Sequence, residues 1–132
     1  MDTFEILSQL CSAAGVSGAE GSAAEAAAKL LEEYGEVTLD NALGSVICKV
    51  GSWEDGKPVM LLDAHIDEIG MIVTYITEDG FLKISGCGGL DTRLLLAQQV
   101  TVYGKEKLTG IVTSTPPHLE KALSHLTLTA FS

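Results

Sequence analysis

Four ionisable side chains stand close together in the segment VMLLDAHIDEIGMIVTYI, residues 59–76. Asp63, His65, Asp67 and Glu68 separate two apolar runs that each have the composition of a β-strand. Residues two apart in an extended chain face the same way, so His65 and Asp67 are predicted to project together. A neutral imidazole is a good ligand for Zn²⁺ or Co²⁺, and a nearby carboxylate can fix its tautomer and orientation. The pattern therefore indicates either a metal-binding group or a polar turn, and Glu68 could be a ligand, a base or a solvated turn residue.

A single histidine does not make a metal centre. Catalytic zinc takes about three protein ligands, and a two-metal site takes more. The other histidines are His118 and His125, and neither has a partner at metal-ligand spacing. Each is interpreted as a surface or structural histidine.

The composition limits the classes of function. At 132 residues, with 46% hydrophobic residues, the chain fits one ordinary domain, or one domain and part of another. A net charge of −10 disfavours nucleic acid as a partner, and the 8 scattered Lys and Arg residues disfavour a membrane surface. The start has no signal-peptide pattern, and no apolar run is long enough to span a bilayer. Three cysteines without CxxC spacing, each in an apolar setting, are interpreted as buried, reduced thiols of a cytoplasmic protein.

The predicted secondary structure that would position the cluster differs between the two halves of the chain. Apolar spacing predicts helices before Gly15 and before Gly35, with Ser17 and Glu20, or Ser22 and Glu25, as capping boxes of the second. Two short strands around DNALG follow, and then PVMLLDA, whose continuous apolar run predicts a strand covered on both faces. The alternation predicts an α/β layer with a partly parallel sheet.

The second half has the pattern of a small β-module. Two hairpins are predicted, one around EDG and one around GKEK. A change of period directly at the end of a strand, with no linker, is typical of a β-barrel inserted into an α/β domain. The predicted boundaries are 1–66 for the α/β part, 67–120 for the β-part and 121–132 for a tail that completes neither module.

An ordered set of segments resembles one family of enzymes. GVSGAE, VTLDNALGSV, PVMLLDAHIDEIGMIVTYI, GFLKISGCGGLDTRLLLAQQVTVYG and GIVTSTPPHLE follow one another over about residues 3–120. The order is similar to that at the amino terminus of the glutamyl/tetrahedral aminopeptidases, metallopeptidases some of whose members carry the names cellulase M-like or endoglucanase. The succession of AHIDEIG, GGLD and PPHL is the specific part of the resemblance.

The resemblance implies a fold, a reaction and an assembly. It implies an α/β catalytic domain with two divalent metal ions, Zn or Co, and an inserted β-barrel that mediates dimerisation, with dimers that can form dodecamers. His65 would be a metal ligand, and Asp67 would be a catalytic-site residue that supports His65. The substrates would be peptides, cleaved at their N-terminal residues. In this family the bridging aspartate, the paired glutamates and the remaining ligands follow the insertion, and nothing in these 132 residues corresponds to them.

The chain is therefore interpreted as an inactive fragment of such an aminopeptidase, from a truncated chain or a frameshifted reading frame. One alternative is a non-catalytic self-association module that acts through the β-part. A second is a glycoside hydrolase, which needs two carboxylates across a sugar-binding cleft. With 5% aromatic residues and one tryptophan, the chain has little on which to stack sugars.

Overall fold

The computed structural model describes residues 2–40 and 42–114, together with the backbone of 127–131. The contacts divide the chain into two compact units, Met1–Glu68 and Ile69–Ser132. The assignment of these units to a catalytic domain and an inserted domain stays a prediction.

The first unit begins with two helices whose ends differ from those predicted. Helix α1, Thr3–Ser12, starts from a capping box in which Asp2 accepts a hydrogen bond from the Glu5 backbone and the Glu5 side chain accepts one in return. Helix α2, Gly21–Leu31, has Glu20 at its N-cap without a side-chain capping bond, so both capping boxes predicted there are wrong. Four residues of α2 form the buried apolar face of this unit: Ala23, Ala24, Ala28 and Leu30.

A β-hairpin follows the helices, as predicted. Strands β1, Glu36–Leu39, and β2, Val46–Lys49, pair antiparallel, and Asp40 bonds through its side chain to the Ala42 backbone in the turn. Among the described strands every ladder is antiparallel. The predicted partly parallel sheet is absent from this part of the chain, because β1 and β2 pair only with each other.

The apolar run before the ionisable cluster does not form the predicted buried strand. Residues 58–67 have no assigned helix or strand. Met60, Leu61 and Leu62 are 84%, 84% and 86% exposed. A strand of this composition is stable only between neighbours that cover both faces, and none of the described strands pairs with it.

The second unit is a sheet of five antiparallel strands, and both predicted hairpins are confirmed. Its strands are β3 Gly70–Ile76, β4 Phe81–Cys87, β5 Gln99–Tyr103, β6 Lys107–Thr113 and β7 Thr127–Phe131, and they lie in the sheet order β3-β4-β7-β6-β5. Its core contains Leu82 and the fully buried Val112, with partly buried apolar side chains packed around them.

The end of the chain completes this sheet, contrary to the sequence prediction. Strand β7 pairs with β4 on one side and with β6 on the other. The alternation in TLTAF is too short and too mildly apolar to predict a strand by itself. The strand forms because the edges of the two hairpins supply backbone hydrogen-bonding partners on both sides of it.

Three further predictions concern single residues. Cys11 is exposed, and Cys48 and Cys87 are partly exposed, so the prediction that all three are buried is wrong. His118 and His125 lie outside the described residues, as does the segment PPHLE. In the described part of the chain, no helix is long and apolar enough to cross a membrane.

Candidate metal-binding site at His65 and Asp67

The structure brings His65 and Asp67 together, as their spacing predicted. His65 Nδ1 lies 2.9 Å from Asp67 Oδ1 and 3.2 Å from the Asp67 carbonyl oxygen. Both neighbours are acceptors, so Nδ1 carries the ring proton and Nε2 carries the lone pair. The His65 side chain is 87% exposed. The imidazole therefore offers one accessible nitrogen of the kind that binds Zn²⁺ or Co²⁺.

A loop from the start of the chain holds the segment that carries Asp67. Val16 and Glu68 form an isolated parallel bridge, in which the Glu68 amide donates to the Gly15 carbonyl at 2.8 Å. The Gly15 amide donates in turn to the Glu68 side chain at 3.2 Å. These contacts join residues more than fifty positions apart, so neither helical nor strand periodicity in the sequence could predict them.

The same loop presents a hydroxyl to Asp67. Residues 16–19 form a turn closed by a bond from the Ala19 amide to the Val16 carbonyl, with Gly18 at φ +87°. A positive φ at the third position is the type II pattern, which favours glycine. Ser17 occupies the second position, and its Oγ donates to Asp67 Oδ2 at 2.5 Å. The spacing of Ser17 and Glu20 predicts a helix cap, whereas the Ser17 hydroxyl in fact bonds to Asp67.

The two hydrogen bonds stabilise the ionised form of the carboxylate. The Ser17 hydroxyl, followed by the His65 imidazole, holds the pKa of Asp67 below its usual range. Asp67 is therefore a carboxylate at neutral pH, with one oxygen on His65 and the other on Ser17. This arrangement orients an imidazole and keeps its unprotonated nitrogen available.

The other two members of the sequence cluster are placed differently. Glu68 accepts a hydrogen bond from a backbone amide of its own unit, so its side chain has a structural contact in this chain. Asp63 is exposed and has no hydrogen bond or ion pair within the described ranges. The structure therefore joins two of the four clustered residues, His65 and Asp67, into one arrangement.

His65 and Asp67 account for one of the several ligands that a metal site needs. His65 can supply one nitrogen ligand, whereas both oxygens of Asp67 are already hydrogen-bonded. Among residues 2–40 and 42–114, no group of three or more His, Cys, Asp or Glu side chains could hold a metal ion. A catalytic site would need further ligands from elsewhere.

Asp91 and Arg93 form a local ion pair. The Arg93 guanidinium contacts both carboxylate oxygens of Asp91, at 2.9 Å through Nε and at 2.7 Å through a terminal nitrogen. The Arg93 side chain, and second its backbone amide, hold the pKa of Asp91 below its usual range. This local contact explains the ion pair without a role in ligand binding.

Comparison with known proteins now identifies the class. The profile of the M42 glutamyl aminopeptidases matches residues 44–128. FrvX of Escherichia coli (strain K12), provisionally named an aminopeptidase, is 35% identical over 118 residues, which are 87% of this chain and 32% of FrvX. The chain belongs to the M42 glutamyl aminopeptidase family.

Solved structures agree in fold. The TET aminopeptidase of the marine sediment archaeon Thaumarchaeota archaeon SCGC AB-539-E09 superposes with a TM-score of 0.81 at 31% identity, over 96% of this chain and 37% of its own. PhTET1-12s, described as a dodecamer, superposes with a TM-score of 0.80 at 32% identity, over 100% of this chain and 40% of its own. These likenesses confirm the mixed α/β fold class.

The chain spans about a third of the length of the relatives that it matches. The names of the relatives are those of aminopeptidases, so the endoglucanase naming that accompanied the resemblance is not borne out.

Proposed function

We propose that the intact protein is a metal-dependent aminopeptidase that removes N-terminal residues from peptides, with His65 as a ligand of one of two divalent metal ions, Zn²⁺ or Co²⁺. The family and the names of the relatives support the reaction class. The observation that carries the role of His65 is its geometry, with Nδ1 bound to Asp67 and Nε2 open to solvent.

Each residue of the site has a limited task in this proposal. His65 supplies Nε2 as a ligand, and Asp67 fixes the tautomer and the direction of the ring. Bound divalent metals polarise a scissile carbonyl and lower the pKa of a bound water. In this proposal the general base and the other ligands would come from a region that follows the inserted domain.

The 132-residue chain by itself is expected to bind metal weakly and to have no peptidase activity. One imidazole cannot hold two metal ions, and the described residues provide no cluster of ligands. The proposal therefore separates the ability of His65 to bind a metal, which this chain can show, from catalysis, which it cannot.

The test begins with the chain labelled with ¹⁵N-histidine. Zn²⁺ is titrated in at neutral pH, and the ring nitrogens are followed by NMR. We expect Nε2 of His65 to shift, and the His65→Ala chain to lose that signal and bind less Zn²⁺. If Zn²⁺ perturbs His65 no more than an exposed reference histidine in an unfolded peptide, the ligand role is refuted.

A second experiment addresses the reaction. The gene is sequenced past codon 132, and the product that carries the restored ligands is assayed for release of N-terminal residues with Zn²⁺ or Co²⁺. Metal-stimulated release is expected from that product and not from the 132-residue chain. A product that has the ligands and cleaves a β-glucan but no peptide would restore the glycoside hydrolase alternative.

Self-association through the β-unit is the second function that we propose, and exposed apolar surface supports it. Strand β3 pairs with a single neighbour among the described strands, which leaves one edge unpaired. Ile72, Tyr75 and Ile76 on β3 are 56%, 56% and 63% exposed. Because an apolar edge strand tends to pair with another chain, the proposal is a homodimer, which can build larger assemblies.

Sedimentation velocity tests this assembly with a matched pair of variants. Ile76→Lys places a charge on the exposed edge strand and is expected to shift the chain towards monomer, whereas Leu43→Lys, at an 81% exposed site in the first unit, is not. A wild-type chain that stays monomeric at high concentration would refute self-association.

The proposal includes a cytoplasmic location. Cys11, Cys48 and Cys87 are free thiols in the structure, and a reducing compartment favours that state.

A further inference from the structure

Ser17 contacts the candidate site although it lies fifty residues away in sequence. Its hydroxyl donates to Asp67 Oδ2, and the other oxygen of the same carboxylate receives His65 Nδ1 at 2.9 Å. The three side chains therefore form one continuous path of hydrogen bonds, which ends at an imidazole with its Nε2 free.

We infer that Ser17 is a positioning residue for His65, which acts by fixing the carboxylate of Asp67. The inference rests on the proposed function, since it assigns Ser17 a role in presenting a metal ligand. Ser17 would not touch metal or substrate.

The need for such a residue follows from the exposure of the site. His65 is 87% exposed and Asp67 is 41% exposed, and residues 58–67 belong to no helix or strand. Two side chains that are hydrogen-bonded only to each other on an irregular segment can rotate together. Such rotation makes the position of Nε2 less well defined. A third contact from a fixed point removes that freedom.

Ser17 is such a fixed point. Its turn is closed by the bond from Ala19 to Val16, and the turn is attached to the site segment by the two hydrogen bonds between Gly15 and Glu68. The bond from Ser17 thus joins a constrained backbone to Asp67.

Other reasons for a serine at this position are weaker. Helix α2 starts at Gly21 with Glu20 as its N-cap, so Ser17 does not cap it. The second position of a type II turn tolerates most residues and favours proline, so the turn does not demand a hydroxyl. The contact with Asp67 is the one that uses the hydroxyl.

The experiment uses the 132-residue chain with ¹⁵N-histidine at about pH 8, where an exposed imidazole is neutral. The chemical shifts of Nδ1 and Nε2 report which nitrogen carries the proton. The variants are Ser17→Ala, which removes the donor, Ser17→Thr, which keeps a hydroxyl, and Asp67→Asn, which removes the carboxylate. Ser22→Ala is the matched control, because Ser22 is exposed five residues away and has no contact with the site. Backbone amide spectra verify that each variant is folded.

The variants are expected to differ in how strongly His65 prefers the Nδ1–H form. Wild type and Ser22→Ala show mainly the Nδ1–H form of His65, Asp67→Asn loses that preference, and Ser17→Ala loses a substantial part of it. Ser17→Thr restores the wild-type pattern. Zn²⁺ affinity at His65 falls about tenfold in Ser17→Ala, the lower end of the range for groups that orient metal ligands, and recovers in Ser17→Thr.

Three outcomes would overturn the inference. In the first, Ser17→Ala matches wild type while Asp67→Asn changes the tautomer. In the second, Ser17→Ala changes the tautomer and leaves the affinity for Zn²⁺ unchanged. In the third, Asp67→Asn also changes nothing, which removes the contact on which both Ser17 and the ligand geometry depend. If wild type binds no Zn²⁺ at His65 but Ser17→Ala still shifts the tautomer, the proposed function fails and the positioning of the imidazole by Ser17 stands.

Discussion

Replacing Gly15 with alanine should disturb the loop that supports the candidate site. A Cβ at Gly15 would lie 2.8 Å from the Cβ of Ala23 and 3.5 Å from the Ile66 carbonyl oxygen. Non-bonded carbon atoms do not approach as closely as 2.8 Å, so either the loop or helix α2 must move. The Gly15 backbone also makes both hydrogen bonds to Glu68, and a displaced loop would carry Ser17 away from Asp67.

The magnitude can be estimated from two opposing effects. Overpacking costs about 1–3 kcal/mol, and the loss of a glycine from the unfolded chain returns about 0.4–1 kcal/mol. Gly15→Ala should therefore lower the free energy of unfolding of the first unit by about 1–2 kcal/mol. In an Ala23→Gly background the close atom is gone and the contact with Ile66 at 3.5 Å is ordinary, so the same change should cost nothing or stabilise slightly.

The four chains of this double-mutant cycle are compared by amide hydrogen exchange in α2, which reports the opening of the first unit. Coupling of about 1–3 kcal/mol between positions 15 and 23 is expected, within the range for residues in contact. Gly21→Ala is the matched control, since its Cβ would meet no atom within 4 Å and alanine is the better helix former. Equal costs of Gly15→Ala in both backgrounds would refute the argument from the clash.

Three further changes test other parts of the structure. Val112→Ala should lower the stability of the β-unit by about 2–3 kcal/mol, because it removes two buried carbons and leaves a cavity. The same change at Val73, which is 42% exposed, should cost about 1 kcal/mol. Equal losses of amide protection in the sheet for the two variants would contradict this. Asp2→Ala removes the cap of α1 and should cost about 1 kcal/mol, seen as faster exchange in that helix alone. Arg93→Gln should raise the pKa of Asp91 towards its usual value, measured by carboxyl ¹³C titration. Because the pKa of Asp91 is lowered in the folded chain, the ion pair stabilises the folded state above about pH 4. This stabilisation is lost as the pH falls through the lowered pKa. A titration of Asp91 that is unchanged in Arg93→Gln would show that the pair does not form in solution.

The elements that were predicted correctly depend on local sequence. The hairpin of β3 and β4 follows from Asp79 and Gly80 between two β-rich runs, with Gly80 at φ +82°. Helix α2 follows from its apolar spacing. In each case the residues that determine the element are a few positions apart, so one sequence contains the necessary information.

The predictions that were wrong concern long-range contacts. Strand β7 forms because β4 and β6 present edges on both sides of it, and its own composition predicts little. Ser17 resembles a helix cap in sequence, and only the parallel bridge between Val16 and Glu68 places it beside Asp67.

The run PVMLLDA and the candidate site share one physical cause. The same segment that leaves Leu61 and Leu62 more than four-fifths exposed also carries His65. A segment without strand partners cannot position a side chain through its own backbone ladder, so the orientation of His65 in this chain depends on Asp67 and on the loop that contains Ser17. An apolar run of this kind is stable between neighbouring strands, and such neighbours would fix the backbone of the site as well as bury its apolar part. The proposed metal-binding geometry therefore depends on two supports: the local loop, which the described residues contain, and a strand environment, which they do not.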